Sequence, residues 1–344
     1  MSPSVPVAPR QPRCRRMARS EIIWGSGRIA SSLEGAVSTF VELPPDQYSR
    51  TAFANFDAAA TDFRIDNARA LMWLSQLAYE TGKPQTIDAV RNVWNFVSIF
   101  PFVEHKVDVT ASFDTCGIWG ERADAVLIAF AGTDPAVWET LATDFNIPRT
   151  PDTDTHAGFQ AALDAVRTEI GQAIARSQQI HKPLFIAGHS LGAALAVLAA
   201  QFADSAGAAP RGVYGFGMPR AGGERFQMAY NNNARLGPVT YRLVHGLDVV
   251  ARIPMSAIGF RHVGRELECA SGQKFDPAAP LSALGSDAPE FSLGLAPTLI
   301  SRIEGLLSGH VLSPPGPGTF GPLFKYLPQP IRDHLQDSYY NALA

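Results

Sequence analysis

The sequence contains little cysteine. Among its 344 residues are three cysteines, Cys14, Cys116 and Cys269, and no two of them stand in a CxxC spacing. Disulfide frameworks and structural zinc sites require more cysteines, or cysteines that lie close together in the sequence. The sequence therefore predicts neither of them, while a single bridge between Cys116 and Cys269 stays open.

Long apolar runs are absent as well, and so is an excess of charge of one sign. No run of about 18 uncharged apolar residues is present, which predicts that no segment spans a membrane. The chain has 29 basic and 32 acidic residues and a net charge of −3, so its charge gives no indication of a nucleic acid partner. With 46% hydrophobic and 18% charged residues, its composition is that of a globular protein.

The first 20 residues contain no acidic residue. They hold four prolines and five arginines, a composition typical of a disordered basic tail. No apolar segment of a secretory signal follows the arginines, so the location is left open between the cytoplasm and export by another route. A weak transit peptide and a later start at Met17 are the alternatives. One domain is predicted over residues 21–344, with a loose, Pro- and Gly-rich insertion at about residues 271–330.

The spacing of apolar residues predicts the class of fold. Residues 62–80 are predicted to form an amphipathic helix that covers a sheet. A second helix is predicted from Thr86, as its N-cap, through Val97, and strand-like alternation follows in KVDVTASF, residues 106–113. Strand-like and helix-like patterns then alternate over residues 125–254. This alternation predicts an α/β fold with a mainly parallel central sheet and helices on both faces.

The most informative stretch is PLFIAGHSLGAALAVLAA, residues 183–200. An apolar run typical of a buried strand ends at the pentapeptide Gly-His-Ser-Leu-Gly, and a helical pattern follows at once. A Gly-x-Ser-x-Gly segment between a strand and a helix is typical of a nucleophile elbow, because Gly188 and Gly192 let the two elements approach closely. Ser190 is therefore the predicted nucleophile, and the alternative is a serine that only caps a buried helix.

A second candidate site segment follows the apolar run at residues 125–130. This run ends in Ala-Gly-Thr-Asp-Pro, so Thr133 would present its N–H and hydroxyl at the carboxyl end of a strand, where α/β sheets bind their ligands. Pro135 is typical of the first turn of a helix, and an ordinary turn into that helix is the alternative reading. The apolar residues of this short helix are Val137, Trp138 and Leu141.

A serine nucleophile requires a histidine base and an acid that orients this histidine. In α/β-hydrolases the chain order is serine, acid, histidine, so the acid is expected after Ser190. Asp248 is the predicted acid because it closely follows the strand-like segment YRLVH. A turn aspartate is its alternative reading, and Glu224 is a weaker rival for the role of acid.

Three histidines follow the predicted acid: His262, His310 and His334. His310 lies in the loose insertion, where no regular element would fix it. His262 begins a strand-like segment and would serve equally well as a structural histidine. Chain order alone favours His334 over His262 only slightly.

Six short segments of the chain form a specific set when they are taken in order. They are FAGT (130–133), HAGF (156–159), IAGHSLGAALA (186–196), FGMPRAG (216–222), DVVARIP (248–254) and DHLQDSYY (333–340). Over about residues 125–340 this set resembles the fungal-type, or class three, lipases of the α/β-hydrolase superfamily. The resemblance implies Ser190 as the nucleophile, Asp248 as the acid and His334 as the base, since the family's histidine lies in a terminal segment of this kind.

The resemblance also implies an oxyanion hole and a lid. The backbone N–H groups of Thr133 and Leu191 would bind the oxyanion, with help from the threonine hydroxyl. The helix after Thr133 would be the family's lid. This chain departs from the family at Ala131, where arginine is usual, at Ala193, where glycine is usual, and in the long insertion before the histidine.

The implied function is the hydrolysis of carboxylic esters through an acyl-enzyme, without metal or cofactor. The expected enzyme is a triacylglycerol lipase that acts on a lipid or ester substrate at a lipid–water interface. A phospholipase A and a short-chain esterase with the same triad are the near alternatives. A hydrolase-like scaffold that binds without catalysis is the remote alternative.

Overall fold

The structure is a computed structural model that describes residues 43–107, 112–132, 148–286 and 329–344. The predicted basic tail, residues 1–20, lies outside the described residues, as do residues 287–328 of the predicted insertion. The strands are β1 (Phe96–Val107), β2 (Ser112–Arg122), β3 (Val126–Phe130), β4 (Leu184–His189), β5 (Gly212–Phe216), β6 (Gly222–Gly223), β7 (Thr240–His245), β8 (Phe260–Arg261) and β9 (Arg265–Cys269). The α-helices are α1 (Ile65–Leu77), α2 (Pro84–Val93), α3 (Ala157–Ala165), α4 (Arg167–Gln179), α5 (Leu191–Ser205), α6 (Glu224–Asn231), α7 (Gln329–Arg332) and α8 (Gln336–Ala342).

Seven strands form one sheet in the spatial order β1-β2-β3-β4-β5-β7-β9. The neighbours β3–β4, β4–β5, β5–β7 and β7–β9 pair in parallel. At the other end of the sheet, β2 pairs antiparallel with both of its neighbours, β1 and β3. The mainly parallel α/β sheet predicted from the sequence is therefore confirmed, with an antiparallel hairpin added at one edge.

Helices cover both faces of this sheet, as predicted. Successive residues of a strand point to opposite faces. In β3, Val126 and Ile128 face the side that holds α3, α4 and α5, whereas Leu127 and Ala129 face the side that holds α1. The strands β3, β4, β5 and β7 are buried along their whole length, and in β3 and β4 this burial explains the nearly continuous apolar sequence.

Helix α1 packs against the C-terminal residues on one face of the sheet. Trp73 of α1 stacks on Tyr340 of α8, with ring centroids 4.4 Å apart. Arg69 of α1 donates a hydrogen bond of 2.5 Å to the carbonyl of Leu343. The first helix therefore fixes the C-terminal segment that carries His334.

The predicted second helix is wrong at both ends. It begins at Pro84, whose fixed φ suits a first helical turn, and not after an N-cap at Thr86. It ends at Val93, because Asn95 has a φ of 57° and the chain then continues as β1. Val97, which fits the helical spacing, is 59% exposed on that strand.

The strand predicted at residues 106–113 is also wrong in its bounds. β1 ends at Val107 and β2 begins at Ser112, so the segment spans the connection between two paired strands. The alternation in the sequence belongs to the ends of both strands and not to one strand.

Two expectations concern cysteines and membrane spans. Cys269 carries a free thiol, so it forms no bridge with Cys116. Among the helices of the described ranges, none is long and apolar enough to cross a bilayer.

Candidate active site

Ser190 lies in the tight turn between β4 and α5, where the sequence predicts an elbow. Its backbone has φ 59° and ψ −132°, a conformation that L-residues rarely adopt. A Cβ on Gly188 would collide with the backbone of Gly192, and a Cβ on Gly192 would collide with the carbonyls of Phe130 and Ala131. The two glycines therefore allow the strand and helix to touch, which forces the serine into this strained turn.

The hydroxyl of Ser190 is placed at the positive end of a helix. Its Oγ is buried and makes no hydrogen bond with any residue of the described ranges. The N–H of Ser190 donates to the carbonyl of Phe216 at 2.8 Å, which ties the turn to β5. Leu191 is the first residue of α5, and N–H groups of a first helical turn have no acceptor within the helix.

Asp248 and His334 form a buried pair. His334 Nδ1 lies 2.8 Å from each carboxylate oxygen of Asp248, and both side chains are fully buried. Asp248 stands in the turn after β7, and His334 stands between α7 and α8. Since a carboxylate only accepts, Nδ1 donates, and in the neutral imidazole Nε2 is then the nitrogen that accepts a proton.

Further donors hold the carboxylate in place. The hydroxyl of Tyr339 donates to Oδ2 at 2.5 Å, and the N–H of Val250 donates to Oδ1 at 2.8 Å. Burial by itself would raise the pKa of Asp248, but the charge and hydrogen bond of His334, with the Tyr339 hydroxyl, hold it below its ordinary value. Asp248 is therefore ionised and its orientation is fixed.

The pair lies beside the elbow. The ring of His189, which precedes Ser190, has its centroid 4.8 Å from that of His334. Behind the pair, a Cβ on Gly217 would lie 2.6 Å from Asp248 Oδ2 and 2.8 Å from His334 Nδ1. Because Gly217 also has a φ of 58°, glycine is required where the FGMPRAG segment passes the pair.

The structure does not bring His262 to the acid. This histidine is fully buried and its Nε2 donates to the carbonyl of Ala251 at 2.8 Å. Burial, and then the nearby Arg242 and Arg220, lower the pKa of His262 well below its ordinary value. It supports the backbone of the loop after Asp248. Glu224, the rival acid, is an exposed residue at the start of α6.

The proposed oxyanion and lid residues of the β3–α3 connection cannot be compared with the structure. Thr133, Val137, Trp138 and Leu141 lie outside the described residues, as does His310. The last described residue before them is Gly132. A Cβ on Gly132 would lie 2.7 Å from the Cβ of Ser190 and 2.9 Å from the carbonyl oxygen of His189, so the end of β3 touches the elbow.

Sequence reasoning missed three groups of this site. Tyr339 binds the Asp248 carboxylate, His189 binds the His334 backbone, and Asp333 connects the segment of His334 with the turn before Asp248. The Asp333 carboxylate accepts from the N–H of Leu247 at 2.8 Å and from the hydroxyl of Ser271 at 2.5 Å. Tyr339 and Asp333 are both part of the DHLQDSYY segment, which was the available signal. The spacing of residues within a motif does not indicate which partner each residue binds.

His156 of the HAGF segment has a structural place in the described fold. Its Nδ1 accepts the N–H of Phe159 at 3.2 Å and thereby caps α3, and the two rings stack with centroids 3.9 Å apart. Burial lowers the pKa of His156 to about 4. No group of three or more His, Cys, Asp or Glu in the described ranges is arranged to hold a metal ion.

Comparisons with known proteins agree with the motifs. Residues 127–257 match the family described as "Lipase (class 3)". The secreted mono- and diacylglycerol lipase 1 of Fusarium solani is 34% identical over 114 residues, which cover 32% of this chain and 33% of that protein. Phospholipase A1-II 6 of Oryza sativa subsp. japonica is 30% identical over 134 residues, which cover 36% of this chain and 32% of that protein. This chain thus spans about a third of the length of these relatives.

Solved structures are similar at lower identity. The crystal structure of a lipase from Rhizopus microsporus var. chinensis has a TM-score of 0.48 and 19% identity, and the match covers 64% of this chain and 79% of that chain.

Proposed function

We propose that this chain, whose residues 127–257 match the class 3 lipase family, is a serine carboxylic-ester hydrolase that acts on acylglycerols. One observation carries the proposal. A buried carboxylate–imidazole pair, Asp248 and His334, lies beside a strained serine elbow at Ser190. These groups have the roles that ester hydrolysis through an acyl-enzyme requires.

The proposed reaction has two similar halves. Ser190 Oγ attacks the ester carbonyl while His334 Nε2 takes the hydroxyl proton, and His334 then gives this proton to the leaving alcohol. Water repeats these steps on the acyl-enzyme and releases the fatty acid. Asp248, which is ionised and bound to Nδ1, keeps the imidazole in the required tautomer and stabilises the imidazolium.

The oxyanion would be bound by the N–H groups of Leu191 and Thr133. Support for Leu191 comes from its place at the first turn of α5, where the N–H has no acceptor within the helix. Support for Thr133 comes from its neighbour Gly132, which directly precedes it in the chain and lies against the Ser190 side chain. Removing one such donor typically lowers turnover by about 10²- to 10³-fold.

The substrate is proposed to be a lipid at an interface, with triacylglycerol as the simplest case. A lid formed by Val137, Trp138 and Leu141 would expose apolar surface when it opens, which a lipid surface would cover. The names of the relatives add two candidates: mono- and diacylglycerols, and phospholipids cleaved by a phospholipase A. The Fusarium relative is named as secreted, and export is likewise proposed for this chain.

The triad is tested with p-nitrophenyl esters of short to long acyl chains. We expect Ser190→Ala and His334→Ala to fall to background. His262→Ala should keep turnover, because within the described ranges its imidazole binds the Ala251 carbonyl and neither Ser190 nor Asp248. A dead His262→Ala with an active His334→Ala would reverse the assignment of the base. Fluorophosphonate labelling of the folded wild type separates an enzyme from a binding scaffold, since the scaffold would not be labelled.

The substrate class is tested on emulsified triacylglycerol, diacylglycerol and phosphatidylcholine by titration of the released acid. A steep increase in rate above the solubility limit of the substrate would support a lipase. Saturation below that limit would favour a short-chain esterase, and cleavage of phosphatidylcholine alone would favour a phospholipase A.

A further inference from the structure

Tyr79 connects three segments of the candidate site from outside the matched region. It lies in the 3-10 turn Ala78–Glu80 that follows α1. Its hydroxyl is 2.9 Å from Nδ1 of His189 and also forms hydrogen bonds with the backbone of Gly132 and the side chain of Gln336. A Cβ on Gly132 would lie 2.6 Å from this hydroxyl, so the contact with the end of β3 is direct.

Two of the three partners of the hydroxyl are next to a residue of the proposed reaction. Gly132 directly precedes Thr133, and His189 directly precedes Ser190. The Nε2 of His189 is 2.8 Å from the backbone carbonyl of His334 itself. The Tyr79 hydroxyl thus lies between the end of β3, the turn at Ser190 and the segment that carries His334.

The direction of these hydrogen bonds follows from the chemistry of the groups. A carbonyl only accepts, so His189 Nε2 carries the proton and donates to His334. In the neutral ring Nδ1 is then an acceptor, and it requires a donor because His189 is 1% exposed. Burial, with the nearby His334, lowers the pKa of His189 to about 3, which keeps the ring neutral. Tyr79 is the donor.

We propose that Tyr79 is a positioning residue whose hydroxyl, acting through His189, fixes the backbone of His334 and thereby the imidazole relative to Ser190. The proposal rests on the proposed function. The hydroxyl orients the His189 ring, and that ring holds the carbonyl of His334 between α7 and α8. Its contact with Gly132 fixes the strand end that leads to Thr133. A small displacement of a base is enough to slow a reaction, since about 1 Å can cost about 10²-fold in rate.

A purely structural role would affect folding but not turnover, and the chain offers a matched control. Tyr230 of α6 is fully buried, and its hydroxyl lies 2.9 Å from Thr240 Oγ1. Thr240 donates to the carbonyl of Leu236, so Tyr230 donates to Thr240, as Tyr79 donates to His189. None of these partners belongs to the proposed triad.

The experiment compares Tyr79→Phe, Tyr230→Phe and the wild type on a soluble ester. We expect Tyr79→Phe to lose about tenfold or more in kcat with KM within about twofold, and to react more slowly with a fluorophosphonate. Tyr230→Phe should keep kcat while its melting temperature falls. Equal kcat for wild type and Tyr79→Phe would overturn the positioning role.

A second variant tests the route through His189 and does not depend on the folding of Tyr79→Phe. His189→Leu removes both ring nitrogens, and with them the acceptor of the Tyr79 hydroxyl and the donor to the His334 carbonyl, so kcat should also fall with little change in KM. In the double variant with Tyr79→Phe, the further loss should be less than about twofold, because the same connection is already broken. Full kcat in His189→Leu, or losses that multiply in the double variant, would overturn the route through His189.

The wild type separates the two proposals. An inactive wild type would overturn the proposed function, and the positioning role with it. An active wild type whose kcat survives both substitutions would overturn the positioning role alone.

Discussion

Replacing Asp248 by asparagine tests the electrostatic basis of the proposed mechanism. In the wild type, Nδ1 of His334 donates at 2.8 Å to both carboxylate oxygens. In asparagine an NH₂ donor that faces Nδ1 replaces one of these oxygens, and the oxygen that remains carries no full charge. Two donors cannot share one hydrogen bond, so the histidine is driven toward the tautomer that carries its proton on Nε2. That tautomer cannot take the proton of Ser190.

The magnitude follows from the loss of both tautomer and charge. The same substitution in another Ser-His-Asp enzyme lowers kcat about 10⁴-fold, and we expect a loss of about 10³- to 10⁴-fold here. At about 1.4 kcal/mol for each factor of ten, this is about 4 to 5.5 kcal/mol of transition-state stabilisation. The volume of the side chain barely changes, so the packing around Gly217 and Tyr339 should persist.

The assay is kcat on a soluble p-nitrophenyl ester, with Asp204→Asn as the control. Asp204 is also a buried carboxylate, 8% exposed, and it accepts from Asn233 Nδ2 at 2.7 Å near the end of α5. Its replacement should leave kcat within about twofold. If Asp248→Asn kept kcat within tenfold of wild type, the acid would be a structural residue and the proposed roles would be wrong.

Three further predictions concern stability and pH. A Gly188→Ala variant should lose about 3 kcal/mol or more in the free energy of unfolding, because the added Cβ would collide with the Gly192 backbone. In the control Gly171→Ala, in α4, the added Cβ has no neighbour within contact distance, so this variant should gain up to about 1 kcal/mol. Urea denaturation measures both free energies. Asp333→Asn should lower the melting temperature and make stability less sensitive to acid, since the hydrogen bonds of Asp333 outweigh its burial and hold its pKa below the ordinary value. The stability that such a carboxylate contributes is lost as pH falls through its folded pKa. If the wild type and Asp333→Asn lost stability equally at low pH, the lowered pKa of Asp333 would be contradicted. Between pH 6.5 and about 4, His156 binds a proton in the unfolded chain but not in the folded protein, so the free energy of unfolding decreases by up to about 1.4 kcal/mol for each pH unit of acidification. His156→Asn keeps an oxygen that can cap α3, and in urea denaturation it should show a weaker dependence on pH. An equal dependence in wild type and variant would refute the lowered pKa of His156.

The strands and the elbow could be predicted because their residues leave few alternatives. Strands buried on both faces, such as β3 and β4, need continuous apolar runs, and these are visible in any sequence. The turn at Ser190 needs Gly188 and Gly192, since any Cβ there meets the backbone. These signals lie within a few consecutive residues, so they are visible in the sequence without knowledge of the fold.

The end of α2 could not be predicted, because two periods fit the same residues. Val90, Val93 and Val97 repeat at helical spacing, and Phe96 and Phe102 fit a strand equally well. The sheet decides between them, because the residues from Phe96 onward pair with β2. Partners that come from distant parts of the chain are not visible in the spacing of residues.

The same reason explains why the histidine was uncertain from chain order. Asp248 and His334 are separated by 86 residues, and the insertion lies between them. Within the fold that distance is bridged locally, because Asp333 accepts from Leu247, which precedes the acid, and from Ser271, which begins the insertion. A Cβ on Gly246 would collide with the Asp333 carboxylate, so glycine at this position leaves room for the carboxylate in the turn before Asp248. The Asp333 carboxylate therefore holds the segment of His334 against the turn that leads to Asp248, although the insertion lies between them in the chain.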